Sequence, residues 1–528
     1  MIPDPIKAGL AQGWQHVDGS QLTESSRIKA DVVVIGSGAG GGTAAQILAE
    51  AGLAVVIIEA GPLKSSSDFV MQERVAYPDL YQQSAAMKTA DQAIGMLQGR
   101  NVGGSTTVNW TTSIRTPRQT LAHWAQHFGV EQITPESMAP WFEQAEQALN
   151  ISPWPVPANA NNALMAQGCE RLGWDWTVIH RNVRGCADLG YCGMGCPLNA
   201  KQSMLVTTIP AALSAGAQLY SRTEAWQLLH DGERVQGVLC HTRDPQHQRR
   251  DITVTVEAQQ VVLCGGALHS PALLMRSAAP DPHKLLGKRT FLHPTVMALA
   301  RFAKPVNAHA GAPQSVYSDQ FLWPQAPDAM GFKLEAAPLH PMLLSSKAPG
   351  FGVAHHRMMQ SLNHLQISLA LLRDGFADHS PGGRVILDDF GDPVLDYPLH
   401  DELWQGIRNA FLQMVRLQFA AGAEAVLVAH DQELWWRDLA SAEAGIAQMA
   451  LAPLQTTVAS AHIMGGCGMA GSPEQGVVDS WGRHYQLSNL SVFDGSVLPT
   501  SLGANPQLTL YGLARRNAHA LLARWPRG

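Results

Sequence analysis

Three cysteines lie close together in the segment GCADLGYCGMGCPLNAK, which covers residues 185–201. Cys186, Cys192 and Cys196 follow one another as C-x5-C-x3-C, and a proline comes directly after the last of them. Thiols at this spacing can hold a metal ion or an iron–sulfur cluster, form a disulfide, or stabilise a tight turn. A four-cysteine zinc site is not available from this segment alone.

A glycine-rich segment is the second candidate for chemistry, because its spacing is typical of a nucleotide site. Residues 30–61 read ADVVVIGSGAGGGTAAQILAEAGLAVVIIEAG, in which Gly36, Gly38 and Gly41 form G-x-G-x-x-G. The first glycine permits a tight turn, the second lets the backbone approach a diphosphate, and the third lets a helix pack on a strand. Glu59 follows at the interval of about 20 residues expected of an acid that binds ribose hydroxyls. The motif alone does not distinguish NAD from FAD.

The elements around this motif are predicted from its apolar pattern. Residues 32–35 form a β-branched run, which indicates a buried strand. A helix follows and ends near Gly52, and residues 55–58 form a second strand. The helix begins at the glycines, where its N-terminus favours a phosphate group. The segment therefore predicts a βαβ nucleotide-binding unit.

Length and composition limit the class of protein. The chain has 528 residues, so we expect more than one domain. Its net charge is −6 and no long basic run is present, which argues against a nucleic-acid partner. We find no signal peptide, no twin-arginine pair near the start, and no run of about 20 apolar residues that would predict a transmembrane segment. We therefore expect a cytoplasmic protein, which a partner protein could still attach to a membrane.

Two further segments resemble those of the glucose–methanol–choline (GMC) oxidoreductases, FAD enzymes that act on alcohols. GRNVGGSTTVNWTTSIR at 99–115 resembles the family loop G-R-x-x-G-G-S-[ST]-x-x-N, which lies along the flavin. CGGALHSPALLMRS at 264–277 resembles the signature G-G-A-x-x-S-P-x-L-L, and its Ser-Pro pair predicts the start of a helix. GKRTFLHP at 287–294 resembles the turn that follows, and we assign no role to His293. The resemblance implies FAD contacts at Arg100, Gly103, Gly104, Ser105, Asn109 and the backbone of Ala225.

The C-terminal region resembles the catalytic block of the same family. ASAHIMGGCGM contains His462, and NLSVFDGSVLPTSLGANPQLTL contains Asn505, 43 positions later. The family pairs a histidine with a histidine or an asparagine, so the resemblance implies that His462 is the catalytic base and Asn505 orients the alcohol. It also implies that Asp494, Gly495 and Pro506 lie beside the flavin.

The resemblance implies oxidation of a primary alcohol to the aldehyde, with a hydride passing to FAD and the electrons to an acceptor other than NAD. A neutral imidazole can take a proton near pH 7, and an amide can donate a hydrogen bond without ionising. Residues 330–360 are apolar and rich in Met, which favours an aliphatic, medium- or long-chain, or aromatic substrate, although ordinary core packing explains them equally well. The alternatives are an oxidase that makes H2O2 from O2, an FAD-containing hydroxynitrile-lyase-like enzyme, and a non-catalytic flavin-binding subunit.

The cysteine segment resembles a subgroup of the family, the long-chain (fatty) alcohol oxidases and their bacterial dehydrogenase-like relatives. Leu189 stands where that subgroup has a further cysteine. The remaining spacing is similar to the [3Fe-4S] ligand set of FAD glucose dehydrogenases, which implies Cys186, Cys192 and Cys196 as candidate ligands. Such a cluster would pass electrons to a cytochrome, a small subunit or a quinone. A structural or disulfide role, or a metal site completed by a remote residue, also remains open.

We predict an α/β fold, α+β overall, with a Rossmann-like FAD-binding domain and a substrate domain built on an antiparallel sheet with helices on one face. Residues 384–399 predict two strands joined by a turn, and Asp401 is predicted to cap a long helix that ends at Gly422. The predicted segments are 1–150 (FAD-binding, first part), 151–204 (cysteine-containing connection), 205–298 (FAD-binding, second part), 299–454 (substrate domain) and 455–528 (FAD-binding and catalytic C-terminal part).

Overall fold

The structure is a computed structural model that describes residues 3–326, 329–377 and 380–526. Its helices are α1 (Pro5–Ala11), α2 (Ala39–Glu50), α3 (Glu73–Leu80), α4 (Ser105–Val108), α5 (Arg118–Phe128), α6 (Pro135–Ala148), α7 (Ala160–Leu172), α8 (Thr208–Ser214), α9 (Gly266–Arg276), α10 (Pro341–Lys347), α11 (Gly352–Gln360), α12 (Asp401–Ala420), α13 (Leu439–Gln448) and α14 (Gln507–Leu522).

Its strands are β1 (Gln15–Asp18), β2 (Ser26–Ile35), β3 (Val55–Ile58), β4 (Ile94–Met96), β5 (Ile151–Pro153), β6 (Thr177–Val178), β7 (His180–Asn182), β8 (Gln218–Ser221), β9 (Thr223–His230), β10 (Val235–Arg243), β11 (Arg249–Leu263), β12 (Phe291–Leu292), β13 (Thr295–Arg301), β14 (Val316–Ser318), β15 (Phe332–Ala336), β16 (Leu365–Leu372), β17 (Arg384–Leu387), β18 (Pro393–Asp396), β19 (Ala425–Val428), β20 (Val458–Ser460), β21 (Ile463–Met464) and β22 (Leu490–Val492).

The first large sheet contains the predicted βαβ unit. Its strand order is β1-β8-β3-β2-β11-β10-β9, with β22 paired to β11. Strands β1, β8, β3, β2, β11 and β22 run parallel to one another. Strands β10 and β9 are antiparallel to their neighbours. All four residues of β3 are buried, as in a parallel sheet that is covered on both faces. The predicted Rossmann-like arrangement of parallel strands around β2 is thereby confirmed.

The second large sheet carries the other wall of the site. Its order is β4-β20-β13-β16-β15-β14-β6, with β19 paired to β13, and the central strands are antiparallel. Alternate residues of β13 divide between two faces: Val296 and Ala298 belong to the core that α12 covers, whereas Met297 and Leu299 line a cavity. The sheet takes in β4, β6 and β20, so it extends beyond the predicted range 299–454.

Two predicted helix starts differ from the structure. Helix α12 begins at Asp401, and the preceding His400 occupies the cap position. Helix α9 begins at Gly266, so Pro271 lies inside it. The strand β11 ends at Leu263, and the glycines that follow let the chain turn directly into the helix, five residues before the proline.

Candidate active site

A cavity of about 520 Å³ runs between the glycine-rich turn of the first sheet and the inner face of the second sheet. It is lined by most of the residues predicted from sequence: Gly36, Gly38, Glu59, Arg100, Gly104, Ser105, Asn109, Ala225, His462, Asp494, Gly495, Asn505 and Pro506. Gly41 and Gly103 pack directly behind this lining. The fold therefore brings segments that are more than 400 residues apart in sequence to one cavity.

The glycine turn is shaped for a ligand that approaches the backbone. Gly36 has a φ of 98°, and a Cβ there would lie 2.3 Å from the carbonyl oxygen of Cys264. A Cβ on Gly41 would lie 1.8 Å from the carbonyl oxygen of Gly36, because α2 packs closely on β2. A Cβ on Gly38, by contrast, would meet only Gly104 at 3.9 Å. The protein thus tolerates a side chain at Gly38, and the space it would fill belongs to the cavity.

The carboxylate of Glu59 closes this turn. Its Oε2 accepts hydrogen bonds from the N–H and the hydroxyl of Ser37, at 3.1 and 2.6 Å, and its Oε1 accepts one from the N–H of Gly61 at 2.9 Å. Ser37 Oγ also accepts from the N–H of Gly103 at 2.9 Å. Glu59 is 6 % exposed, and burial raises its pKa. It joins the glycine turn to the loop at 99–115.

Arg100 supplies positive charge beside the glycine turn and Glu59. Its Nε is buried and has no hydrogen-bond partner among the described residues. Burial lowers the pKa of Arg100 to about 10, so the guanidinium remains charged at neutral pH. Together with the N-terminus of the twelve-residue helix α2, this charge suits an anionic diphosphate. The cradle therefore fits a dinucleotide such as FAD.

Two residues predicted to contact the flavin use their side chains for hydrogen bonds to other residues of the protein. Asp494 accepts hydrogen bonds from the N–H of Gly266 and the hydroxyl of Ser270, at 2.8 and 2.5 Å, and also from Ser496. Asn109 donates to Gln507 Oε1 at 2.7 Å. Asp494 thus joins α9 to the C-terminal block beside the cavity.

His462 lies against a second histidine, His293, which the sequence analysis left without a role. Their Nδ1 atoms are 2.9 Å apart, and the rings meet edge to face at 83°. His293 Nε2 accepts hydrogen bonds from the N–H groups of Leu502 and Gly503, at 3.2 and 3.0 Å. Since that nitrogen must be unprotonated, the neutral ring of His293 carries its proton on Nδ1 and donates it to His462.

This donation fixes the tautomer of His462. Its Nδ1 is the acceptor, so the neutral ring carries its proton on Nε2. Burial lowers the pKa of His462 to about 4, and burial followed by the neighbouring His462 lowers that of His293. Both rings are therefore neutral near pH 7, and His462 offers the cavity a hydrogen-bond donor.

Asn505 is paired with a buried acid, Glu335 of β15. Its Nδ2 lies 3.4 Å from Glu335 Oε2, which also accepts from Gln314 Nε2 at 2.6 Å. Glu335 is 1 % exposed and Asn505 is 6 % exposed. Asn505 Oδ1 and Glu335 Oε1 are buried without a hydrogen-bond partner among the described residues. Two acceptors therefore remain free beside the cavity.

The rest of the substrate-side wall contains Lys347, Thr295 and a larger apolar surface. The apolar surface is formed by Met297, Leu299, Ile367, Leu369, Leu371, Leu339, Leu343 and Leu344. Of the apolar residues singled out at 330–360, Leu343 and Leu344 line the cavity, whereas Met358 belongs to the core of the second sheet.

The cysteine segment lies beneath the predicted flavin loop. Lys201 Nζ donates to the carbonyl oxygens of Thr107, Asn109 and Cys192, at 2.7, 2.8 and 2.6 Å. The fully buried Arg181 donates to Cys192 Sγ at 3.6 Å. These contacts tie the cysteine segment to α4, which lines the cavity.

All seven cysteines are free thiols. Within residues 3–326, 329–377 and 380–526, no group of three or more His, Cys, Asp or Glu side chains is placed to hold a metal ion. In this structure Cys186, Cys192 and Cys196 are therefore not arranged as the ligand set that a three-iron cluster needs. The cluster stays a prediction from sequence. Across the same described ranges, none of the helices is both long and apolar enough to span a membrane.

Sequence reasoning missed His293, Glu335 and Gln314. A signal was present for two of them: His293 belongs to the HP turn, and Glu335 is an acid inside FKLEA, a fully buried strand. An acid in such a strand must find a partner or a use, because burying it alone is costly. Gln314 left no comparable trace.

Comparison with known proteins identifies the class of this chain. Family models of the GMC oxidoreductases match residues 77–295 and 379–514, which together make up more than half of the chain. The protein belongs to the GMC oxidoreductases, a family that binds FAD.

The chain is similar to several proteins of the same family along most of its length. An uncharacterized GMC-type oxidoreductase of Sinorhizobium fredii is 29 % identical over 96 % of this chain and 97 % of its own length. A long-chain-alcohol oxidase of Arabidopsis thaliana is 28 % identical over 95 % of this chain and 69 % of its own length. Pyridoxine 4-oxidase from Mesorbium loti has a similar fold, with a TM-score of 0.68 and 20 % identity over 94 % of this chain and all of that one.

Proposed function

We propose that this protein oxidises a primary alcohol to the aldehyde with FAD as the hydride acceptor. The observation that carries the proposal is one continuous cavity that joins the glycine cradle to His462 and Asn505. A bound FAD would supply the oxidant, an isoalloxazine ring that can take a hydride. Gly38, Arg100 and the N-terminus of α2 would hold its diphosphate, and the loop at 99–115 would lie along the flavin.

The chain's own residues would bind and orient the alcohol. The Nε2–H of His462 would donate to the alcohol oxygen, and Oδ1 of Asn505 would accept from its hydroxyl group. The base role for His462 stays a prediction; the donor from His293 would place the proton of the neutral, ligand-free ring on Nε2. Protonation of His462 on Nδ1 as well would set two N–H groups against each other, so the pair opposes a second proton.

The apolar wall supports an aliphatic, medium- or long-chain, or aromatic alcohol. The long-chain-alcohol oxidase among the relatives agrees with this proposal. The final electron acceptor would be a compound other than NAD, because the cavity suits one dinucleotide, which FAD would occupy. O2, a quinone or a partner protein such as a cytochrome or a small subunit are the candidates.

The test is an anaerobic panel of alcohols, observed through the visible absorbance of the flavin. We expect straight-chain and benzylic primary alcohols to bleach the flavin under nitrogen. Admission of air then separates the two redox alternatives: rapid return of the absorbance with formation of H2O2 identifies an oxidase, and slow return identifies a dehydrogenase.

The same panel tests the two other classes. Cleavage of a hydroxynitrile without bleaching would identify a lyase. Failure of every alcohol and hydroxynitrile to react would indicate a non-catalytic flavin-binding subunit. Either outcome would contradict the proposed oxidation.

A further inference from the structure

A lysine lies in the substrate-side wall of the cavity, beside the apolar surface. Lys347 is the last residue of α10, and it lines the cavity together with Leu343 and Leu344 of the same helix. Leu343 and Lys347 are four residues apart, so they share one face of the helix. The apolar wall therefore ends, one turn further along α10, in a basic side chain.

The helix that carries Lys347 is fixed at its other end by a buried acid. Glu73 of α3 is 8 % exposed, and its carboxylate accepts hydrogen bonds from the N–H groups of Met342 and Leu343, at 2.7 and 2.9 Å. The hydroxyl of Tyr77 donates to the same carboxylate at 2.8 Å. A carboxylate at the first turn satisfies N–H groups that have no partner inside the helix. The position of Lys347 in the wall is therefore set by the attachment of α10 to α3.

Strand β4 leaves room for the end of the lysine side chain. A Cβ on Gly95 would lie 2.8 Å from Lys347 Nζ. Gly95 pairs with Ala459 of β20, three residues before His462. Three residues of chain span at most about 11 Å. One chain-like substrate can therefore reach from the ammonium of Lys347 to His462.

Lys347 has no acidic ion-pair partner within the part of the chain that the structure describes. Burial is the first influence on its pKa and the charge of Lys88 is the second, and both lower it. Lys88 is exposed and pairs with Gly95 in an isolated bridge, so it adds to the positive potential near Lys347. An ammonium taken out of water without a counter-ion is costly, and an anionic ligand would offset that cost.

The other lysine and arginine side chains that line the cavity belong to the cradle. Arg100, Arg243 and Arg276 line it, and the charge of Arg243 lowers the pKa of both other arginines. Neither these arginines nor Glu335 are among the influences on the pKa of Lys347. Lys347 is therefore a second cationic centre, separate from the one that suits a diphosphate.

We propose that Lys347 binds a carboxylate at the far end of the substrate, so that the preferred substrate is a primary alcohol whose apolar chain ends in an acid group. This inference rests on the proposed alcohol oxidation and names the class of alcohol. A lysine ammonium is a compact charge with three donors, which suits a monoanion such as a carboxylate. Leu343 and Leu344 would pack on the chain between the two polar ends.

The test compares three alcohols of equal chain length on the holoenzyme: ω-hydroxydecanoate, its methyl ester and decanol. Anaerobic stopped-flow experiments give the rate of flavin reduction at saturation and the concentration that half-saturates it. We expect the hydroxy acid to half-saturate the wild type at a concentration at least about 10-fold lower than its ester, the usual effect of a charged hydrogen bond. Equal half-saturating concentrations for the acid and the ester would overturn the proposal.

The decisive variant is Lys347→Met, which keeps an unbranched apolar side chain and removes the charge. We expect it to lose the preference for the acid over the ester, with a smaller change in the rate at saturation. The matched control is Lys88→Met, because Lys88 is exposed and does not line the cavity. Its preference should stay within about threefold of wild type, since solvent screens an exposed charge. A preserved preference in Lys347→Met, or an equal loss in both variants, would contradict the assignment.

Binding alone separates this inference from the proposed function. Decanoate has no hydroxyl group to oxidise, so its affinity for the holoenzyme, measured by calorimetry, does not depend on alcohol oxidation. A loss of affinity by about 10-fold or more in Lys347→Met supports the carboxylate site even if no alcohol bleaches the flavin. Oxidation of decanol by an enzyme that does not bind decanoate would leave the oxidation intact and contradict the site. Loss of FAD from Lys347→Met would assign the ammonium to the cofactor and would also contradict it.

Discussion

The Nδ1 atoms of His293 and His462 face each other at 2.9 Å, and two backbone N–H groups on the far side of His293 decide which ring donates. Neither backbone donor can change its role, so the direction of the bond is set by the chain itself. The pair thus presents a donor, His462 Nε2–H, to the cavity.

His293→Ala should remove the hydrogen bond that sets the tautomer of His462, although His293 itself does not line the cavity. His462 would then exchange between its two neutral tautomers, and we expect flavin reduction to fall by about 10-fold, the cost of a lost buried hydrogen bond. Nitrogen NMR of labelled histidine should show one tautomer of His462 in the wild type and a mixture in the variant. A single unchanged tautomer in His293→Ala would contradict the assignment.

His462→Ala should abolish reduction of the flavin by alcohol while FAD stays bound. The ring of His462 lies at the alcohol end of the cavity, and the cradle at Gly36 and Gly38 is formed by another segment. The measurement is anaerobic mixing together with the ratio of FAD to protein. Reduction at a near-normal rate would show that His462 is not in the reacting centre.

Gly38→Ala should fold normally but bind FAD at least 10-fold more weakly. The new methyl group would meet the protein only at 3.9 Å, yet it would enter the space for the diphosphate. The matched control is Gly468→Ala, whose Cβ would meet no atom within 4 Å and which does not line the cavity. Equal FAD content in the two variants, measured by absorbance, would contradict the predicted diphosphate site.

Stability should fall as the pH is lowered from about 7 to 5. Burial lowers the pKa of His462, His269 and His484 to about 4, whereas unfolded histidines titrate near 6.5. Between these values the unfolded chain binds more protons, so each histidine destabilises the fold by up to ~1.4 kcal/mol per pH unit. Calorimetry should show a lower Tm at pH 5, and His462→Asn should reduce this dependence. The exposed His356 serves as the control, because His356→Asn should leave the dependence unchanged.

Lys201→Met should loosen the flavin loop from the cysteine segment. The substitution removes three donors and leaves the carbonyl oxygens of Thr107, Asn109 and Cys192 buried without them. We expect a loss of a few kcal/mol in the free energy of unfolding, since each unmade buried bond costs about 1–3 kcal/mol, and a lower FAD content. A melting curve and FAD content equal to those of the wild type would refute this bracing role.

The cluster prediction for Cys186, Cys192 and Cys196 has its own direct assay. Iron and acid-labile sulfide are measured on protein purified without air. Three iron atoms and four sulfides per chain would confirm a [3Fe-4S] cluster, and their absence would leave the segment as a brace beneath α4.

Local sequence was sufficient for the nucleotide half of the fold. Gly36, Gly38 and Gly41 are required by backbone geometry within one βαβ unit, so their spacing alone predicts the turn, the helix and the close packing. The strand at 55–58 was predicted with its correct bounds for the same reason, because an apolar β-branched run is a local property. The start of α9 was predicted wrongly, because the helix begins five residues before its proline. The preceding glycines and the neighbouring strand determine where the chain turns.

The candidate active site depended on contacts between distant segments. His462 and Asn505 were identified by their flanking motifs, but their hydrogen-bond partners lie far away in the chain. His293 lies 169 residues before His462, and Glu335 lies 170 residues before Asn505. Periodicity in the sequence predicts which face of a strand is buried, but it does not predict which distant residues contact that face. The sequence determined the types of the candidate site residues, and the packing of the second sheet against the first decided which hydrogen-bond partners they have.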